Sequence, residues 1–364
     1  VTAVSCCSLA GAEESLSRYV YVTSRDGAGG RGGKGIYVYD MDNGHKLVRF
    51  IKLPDLGGTR GACACAATDK MWISHGNDKL LCLDLKTDKV IWEVQYAKEE
   101  GGADRIGVTP DGKKLYVPSG WWSGDKHVKV VDAESGKLLK KIEVSPKGGL
   151  HNLIVSHDGR QVVVGSTRYN MLSVIDTKSD EVIQRVGPII GVIQPLTTNG
   201  AGTVAYINTH LYREGHGPGF EIGDVASGKI LHVVGRPELS ERKSRCHGIG
   251  LTPDEREVWV VDQGFKELHV FDNTAKPPKF KQVVPMAAKT HGWICFSRDG
   301  RYAWCDTGEV FDADTKERVA QWTDKPEGQG GPVMSSKFFE IHFRGDDAVF
   351  TGQQMGVGYG ANSK

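Results

Sequence analysis

Six short stretches of this chain place a basic or amide side chain at nearly regular intervals. They are Thr59-Arg60-Gly61, Asp104-Arg105, His151-Asn152, Gln194-Pro195, Cys246-His247-Gly248 and Thr290-His291-Gly292. A repeat that returns one position to one place in space makes a ring, and a ring of His, Arg and Gln reads as a chemical site. Three imidazoles converging on an axis, His151, His247 and His291, can hold a divalent metal with one coordination position open. Gln194 can add an oxygen ligand. The same histidines can instead hydrogen-bond neighbouring loops and line a wet channel, and their spacing leaves both readings open. Arg60 and Arg105 hold equivalent places in other copies. A guanidinium is a permanently charged planar fork suited to a carboxylate, or, for Arg105, to a salt bridge with Asp104.

A second group of loops falls on the same side of the repeat. It contains Ser74-His75-Gly76, Gly120-Trp121-Trp122-Ser123, Thr167-Arg168-Tyr169-Asn170, the stretch from Thr209 through His210, Tyr212 and His216, and Gln263-Gly264-Phe265. Adjacent tryptophans cannot both point inward from one strand, so Trp121 or Trp122 is expected at the surface. An exposed indole stacks well on the C–H face of a sugar ring, although packing between neighbouring repeats would also use one. Arg168 and Tyr169 suit anion capture or proton transfer, or form a solvated loop. His75, His210, Tyr212 and His216 are candidate acid–base groups, since imidazole titrates near neutral pH. The remaining histidines fall on turns and outer strands, where structural roles are expected.

The elements that must position these residues are short strands. Turn-like tetrads Thr109-Pro110-Asp111-Gly112, Ser156-His157-Asp158-Gly159, Thr252-Pro253-Asp254-Glu255 and Ser297-Arg298-Asp299-Gly300 recur at roughly 45 residues or twice that, the spacing of four-stranded propeller blades. Between them run alternating stretches rich in β-branched and aromatic residues, such as Val128-Lys129-Val130-Val131-Asp132. No long stretch shows helical periodicity. Innermost strands start near Arg60, Asp104, His151, Gln194, Cys246, His291 and Ser335, which predicts an all-β fold, a seven-bladed β-propeller of four-stranded antiparallel blades. The seventh blade is expected to be composite. N-terminal strands at Tyr19–Ser24, Gly35–Asp40 and Lys46–Lys52 would be completed by a C-terminal strand around Phe338–Phe343, which joins the two ends and removes exposed edges. Ala348–Gln353 is a competing choice for the seam. The chain then divides into a tail over 1–17, one propeller domain over 18–356 and a tail over 357–364.

The segments Arg18-Tyr19-Val20-Tyr21-Val22-Thr23, Val108-Thr109-Pro110-Asp111-Gly112-Lys113-Lys114-Leu115-Tyr116-Val117 and Val174-Ile175-Asp176-Thr177 resemble the YVTN-type seven-bladed propellers, over nearly the whole chain. That superfamily hosts binding proteins, redox proteins, lactonases and lyases, so the resemblance speaks to fold more than to activity.

Composition narrows the partners. The chain has 46 basic and 45 acidic residues, a net charge of +1, and no basic patch or motif for nucleic acid. No apolar run approaches the ~20 residues that cross a bilayer. The expected state is a secreted or periplasmic monomer. Among the eight cysteines, Cys63 and Cys65 should share one face of a strand. Cys295 and Cys305 flank a hairpin and could pair, or pack as free thiols.

Several chemistries lack their residues. No G-x-S-x-G elbow is present, no glycine-rich loop opens a helix, and the active side lacks the carboxylate pair of most glycoside hydrolases. Histidines, arginines, a tyrosine and tryptophans without paired carboxylates suit β-elimination from a uronic acid. Such a reaction needs a cation or metal to neutralise the carboxylate, a base for the C5 proton and an acid for the leaving oxygen. In overall plan the chain is similar to propeller polysaccharide lyases that release rhamnose from rhamnosyl-α-1,4-glucuronate ends. That resemblance implies a uronate-containing oligo- or polysaccharide as substrate and a divalent metal, with no organic cofactor. On this reading Arg105, Tyr169, His210 and His75 are catalytic. Arg60, Trp121, Trp122, Arg168, Gln194 and Tyr212 bind substrate, and His151, His247 and His291 hold the metal. A lactonase or streptogramin-type lyase would use the same ring, and a non-catalytic sugar- or protein-binding propeller would use only the exposed tryptophan.

Overall fold

The computed structural model describes residues 15–23, 35–54, 58–209, 215–242, 246–289, 292–326, 330–335 and 337–360. Seven antiparallel sheets form the blades of a propeller. The innermost strands of blades one to seven are Thr59–Cys65, Gly107–Val108, Leu150–Val155, Ile193–Thr198, Cys246–Leu251, Ile294–Phe296 and Phe338–Arg344. The composite blade closes as the sequence predicts: Leu16–Thr23 pairs with Gly35–Asp40 on one side and with Phe338–Arg344 on the other. It also carries a fifth strand, Asp347–Thr351, which pairs with Phe338–Arg344 inside it and so lies nearest the axis in this blade alone; both candidate seam segments are strands, and Phe338–Arg344 is the one that matches the inner strands of the other blades.

Each blade is held by local chemistry that the sequence repeats. In the tetrads the Thr or Ser hydroxyl donates to the Asp two residues on, at 2.6 Å for Thr109–Asp111, Ser156–Asp158 and Ser297–Asp299 and 2.7 Å for Thr252–Asp254. The third strand of every blade ends in an aspartate: Asp40, Asp84, Asp132, Asp176, Asp224, Asp272 and Asp312. Each of these accepts from a backbone N–H two or three residues later, at 2.7–3.0 Å, the geometry of an Asx turn. Between blades the core is apolar, with Trp72, Trp259, Trp304 and Trp322 fully buried.

Cys295 and Cys305 are both free. Their strands pair Cys295 with Trp304 and Cys305 with Ile294, and the two thiols pack into different clusters on opposite faces of the sheet. Cys63 and Cys65 do share one face and pack in a single cluster as free thiols.

The segment 352–360 crosses the axis beneath the blades. Gln354 accepts from Ala62 N and donates to Ile106 O, both at 3.2 Å. Gln353 donates to Val155 O at 2.9 Å and accepts from the Cys295 thiol at its carbonyl. Gly356 O accepts from Thr197 Oγ1 at 2.6 Å and from Leu251 N at 2.7 Å. The segment therefore touches the inner strands of blades one to six and closes the end of the channel away from the ring.

Candidate functional site

The ring residues sit where the inner strands begin, and the backbone is irregular there. Pairing with the second strand shifts register between Thr59 and Gly61, Leu150 and Leu153, Ile193 and Leu196, and Cys246 and Ile249. Arg60, His151, Gln194 and His247 occupy those bulges. A bulge breaks the strict alternation of a strand and re-aims a side chain, here in four blades of one fold.

Four blades contribute to one buried cluster. From blade two, Asp104 and Arg105 are each about 2% exposed. Asp104 Oδ2 accepts from His151 Nδ1 of blade three at 2.8 Å. His247 of blade five donates from Nδ1 to Gly292 O of blade six at 3.1 Å. Both partners are oxygens that accept, so both imidazoles donate from Nδ1, which in a neutral ring leaves the lone pair on Nε2. Burial pulls the His151 imidazole below its ordinary value, and Asp104 offsets part of that loss. The two rings lie 6.2 Å apart and both meet the Trp293 indole edge-on, His247 at 5.0 Å and His151 at 6.2 Å. Arg105 reaches across from blade two to stack on Trp293, its guanidinium carbon 3.4 Å from the ring centre, a cation–π contact. Burial pulls this guanidinium down to about 9, against the opposing pull of Asp104 and Asp306. Asp306 accepts from Gly292 N at 3.0 Å and fixes the turn before Trp293. Asn152, beside His151, has its amide buried with no hydrogen-bond partner among the described residues.

A second group lies on the rim. Arg60 donates from Nε to Asn77 at 2.8 Å and stacks on Trp122 at 4.6 Å. Arg168 spends both terminal nitrogens on the carbonyls of Trp122 and Ser123, at 3.2 Å each, so it braces the Trp-Trp loop. Trp121 stands perpendicular to Trp122 at 5.9 Å and is 48% exposed. It is therefore Trp121 that faces solvent.

Other expected residues stand apart. His75 is buried and faces Glu93 on the outermost strand of its own blade, at 3.7 Å. Tyr169 lies under Arg185 of its blade's outermost strand, at 5.6 Å. Gln194 is half-buried in its bulge. His210, Tyr212 and His291 lie outside the described residues. Sequence reasoning missed Asp104 as the partner of His151, and it missed Trp293, Asp306 and Asn152. Trp293 directly follows the Thr290-His291-Gly292 copy of the ring motif, which was the available signal.

Two imidazoles sharing a metal about 2.1 Å from each Nε2 have centroids no more than about 6.5 Å apart. That limit holds only for a linear arrangement, and a tetrahedral metal brings the centroids to about 5.2 Å, so the 6.2 Å His151–His247 spacing would have to close for both to bind one ion, although their Nδ1 partners are those expected of metal-bound histidines. Among the described residues, the one group of three possible ligand atoms within 4.8 Å is instead Asp262, Glu267 and His269. There Arg236 lies 3.2 Å from His269 Nδ1 and Arg242 pairs with Glu267 at 3.1 Å. Donation from Arg236 puts the proton of a neutral imidazole on Nε2, toward the carboxylates.

No protein-family model matches the chain. No curated protein matches its sequence. Among solved structures it is similar to Kuenenia stuttgartiensis hydrazine synthase, with TM-score 0.63 and 13% identity, covering 79% of this chain and 88% of that one. It is also similar to the β-propeller domain of Cps50 (Swd1) from Myceliophteria thermophila, with TM-score 0.61 and 12% identity, covering 78% and 90%. At such identities the likeness is one of fold. No helix among the described residues is long and apolar enough to cross a membrane.

Proposed function

We propose that this protein is a carbohydrate-active lyase that breaks the glycosidic bond at C4 of a uronic acid by β-elimination at the ring. The observation that carries the reading is the buried Arg105 guanidinium near an Asp104–His151 pair bonded through Nδ1, which leaves Nε2 for a proton. Arg105 engages the uronate carboxylate and holds its charge, which acidifies the C5–H bond. His151 Nε2 takes the C5 proton. The C5–H electron pair becomes the C4=C5 double bond as the C4–O bond breaks, and that bond's pair goes to the departing oxygen. The His151 imidazolium returns its proton to this oxygen, and Asp104 balances the transient charge. Trp121 supplies a stacking face for a neighbouring sugar. Rhamnosyl-glucuronate ends are the first substrate to try.

A divalent metal on His151, His247 and His291 would supply the neutralisation of the carboxylate. His151 cannot serve as metal ligand and base at once. Incubation with uronate-containing polysaccharides, gum arabic included, with and without EDTA, tests both points. An ultraviolet absorbance rise from the unsaturated product supports elimination, and its loss in EDTA shows that a metal is required. A flat trace on every substrate, with the fold intact, overturns the reading. Sugar binding without turnover would then leave Trp121 as the functional surface of a binding protein.

A further inference from the structure

A second polar repeat lies behind the ring. Counting three residues back from the aspartate that ends each third strand gives Lys129, Ser173, Glu221, His269 and Glu309 in blades two to six. All five are buried, at no more than 2% exposure. Four of them bond the backbone of the connector that leads into the inner strand of their own blade, and His269 meets a side chain of its connector. Lys129 donates to Gly101 O at 3.2 Å and to Gly102 O. Ser173 donates to Val144 O at 2.7 Å. Glu221 accepts from Ile190 N at 3.1 Å and Gly191 N at 3.3 Å, and Glu309 accepts from Ala287 N at 3.0 Å. His269 meets Arg236 at 3.2 Å. Where the connector presents carbonyls the side chain is a donor, and where it presents N–H groups the side chain is a carboxylate.

Packing of the blade does not require this polarity. Blade one carries Leu81 at the same position, fully buried. A buried charge costs more than an apolar side chain of similar size unless it serves another purpose. Lys129, Ser173, Glu221 and Glu309 share one feature: the backbone they hold runs directly into the ring. Gly102 is two residues from Asp104, and Gly191 is three from Gln194. The blade-two connector is also pressed tight: a Cβ at Gly102 would lie 2.3 Å from Ser119 O, and Asp104 N bonds Pro118 O at 3.0 Å.

We propose that these buried polar residues are positioning clamps that set the aim of the ring side chains, with Lys129 holding Asp104 and Arg105 in place for His151. The clamps act on the geometry of the ring, whichever reaction the ring performs.

The test replaces Lys129 with Leu, the residue of blade one, and separately with Met and with Arg. It reads thermal melting together with the proton NMR signal of His151 Nδ1–H, assigned by its loss in H151N. In K129L and K129M the protein stays folded while the His151 signal shifts or vanishes, because Asp104 moves. K129R restores it. Any catalytic activity falls by about tenfold or more in kcat, since small displacements are costly to a reacting geometry. An unchanged His151 signal in folded K129L overturns the proposal. So does failure of both K129L and K129M to fold, because polarity there would then serve the blade rather than the ring.

Discussion

Asp104 Oδ2 accepts a 2.8 Å hydrogen bond from His151 Nδ1 across the boundary between blades two and three. This contact fixes the tautomer of His151 and turns its Nε2 lone pair to the ring. It also joins the blade that supplies Arg105 to the blade that supplies His151.

Substitution D104N should cost at least about 100-fold in kcat/KM, the lower end of general-base contributions. It should leave the fold intact. Burial lowers the pKa of His151, while Asp104 raises it. The base is therefore deprotonated at neutral pH, and rate falls as pH drops through its pKa. Removing the Asp104 charge moves this acid limb to lower pH. A pH–rate profile of both proteins checks the direction, and an acid limb that does not move excludes His151 as the base.

The rim separates binding from stability. Trp121 is half exposed, so W121A should leave thermal melting unchanged and weaken oligosaccharide binding by about fivefold, the loss of one stacking contact of ~1 kcal/mol. R168A should weaken binding similarly, because it frees the loop that Arg168 braces. Calorimetric titration with a uronate oligosaccharide reads both.

The axial segment is predicted to matter for stability. Gln353, Gln354, Gly356, Gly358, Tyr359 and Gly360 bond the inner strands and turns of the blades. Truncation after Thr351 removes these contacts and should lower stability by on the order of 5 kcal/mol, at ~1 kcal/mol per hydrogen bond. Denaturant unfolding measures it, and unchanged stability would make the segment an ornament of the fold.

Lys129 gives stability an alkaline signature. Burial draws its amine down to about 8, with Asp125, Glu100 and Asp78 raising it and Lys141 lowering it. An unfolded lysine titrates near ~10.4, so between those values the unfolded chain binds more protons and stability rises with pH. Denaturant melts across that window should show the rise in the wild type and lose it in K129M.

Much of this molecule was legible in its sequence because local chemistry repeats. The Thr109–Asp111 type of turn and the ring positions Arg60, Arg105, His151, Gln194 and His247 recur at the blade period, and the composite blade followed from the strands at each end. The site was less legible where a contact crosses blades. Asp104 beside Arg105 in sequence drew attention to that pair, whereas the hydrogen bond from His151, 47 residues away, joins two blades and has no local signal. His75 and Tyr169 belong to the loops on the ring's side of the propeller, but their side chains turn to Glu93 and Arg185 on outer strands. The clamp position escaped notice because Lys129, Ser173, Glu221 and Glu309 share polarity and burial, not residue type. Thr351–Gly360 carries no repeat, and only closure of the ring reveals where it goes.

The most direct measurement is the rate of ultraviolet absorbance rise on a rhamnosyl-glucuronate-terminated oligosaccharide, for wild type, H151A and R105M side by side, with melting temperatures recorded for each. Elimination by His151 and Arg105 predicts a steady rise for the wild type and flat traces for both folded variants. A flat wild-type trace, or variants that match the wild type, would contradict it.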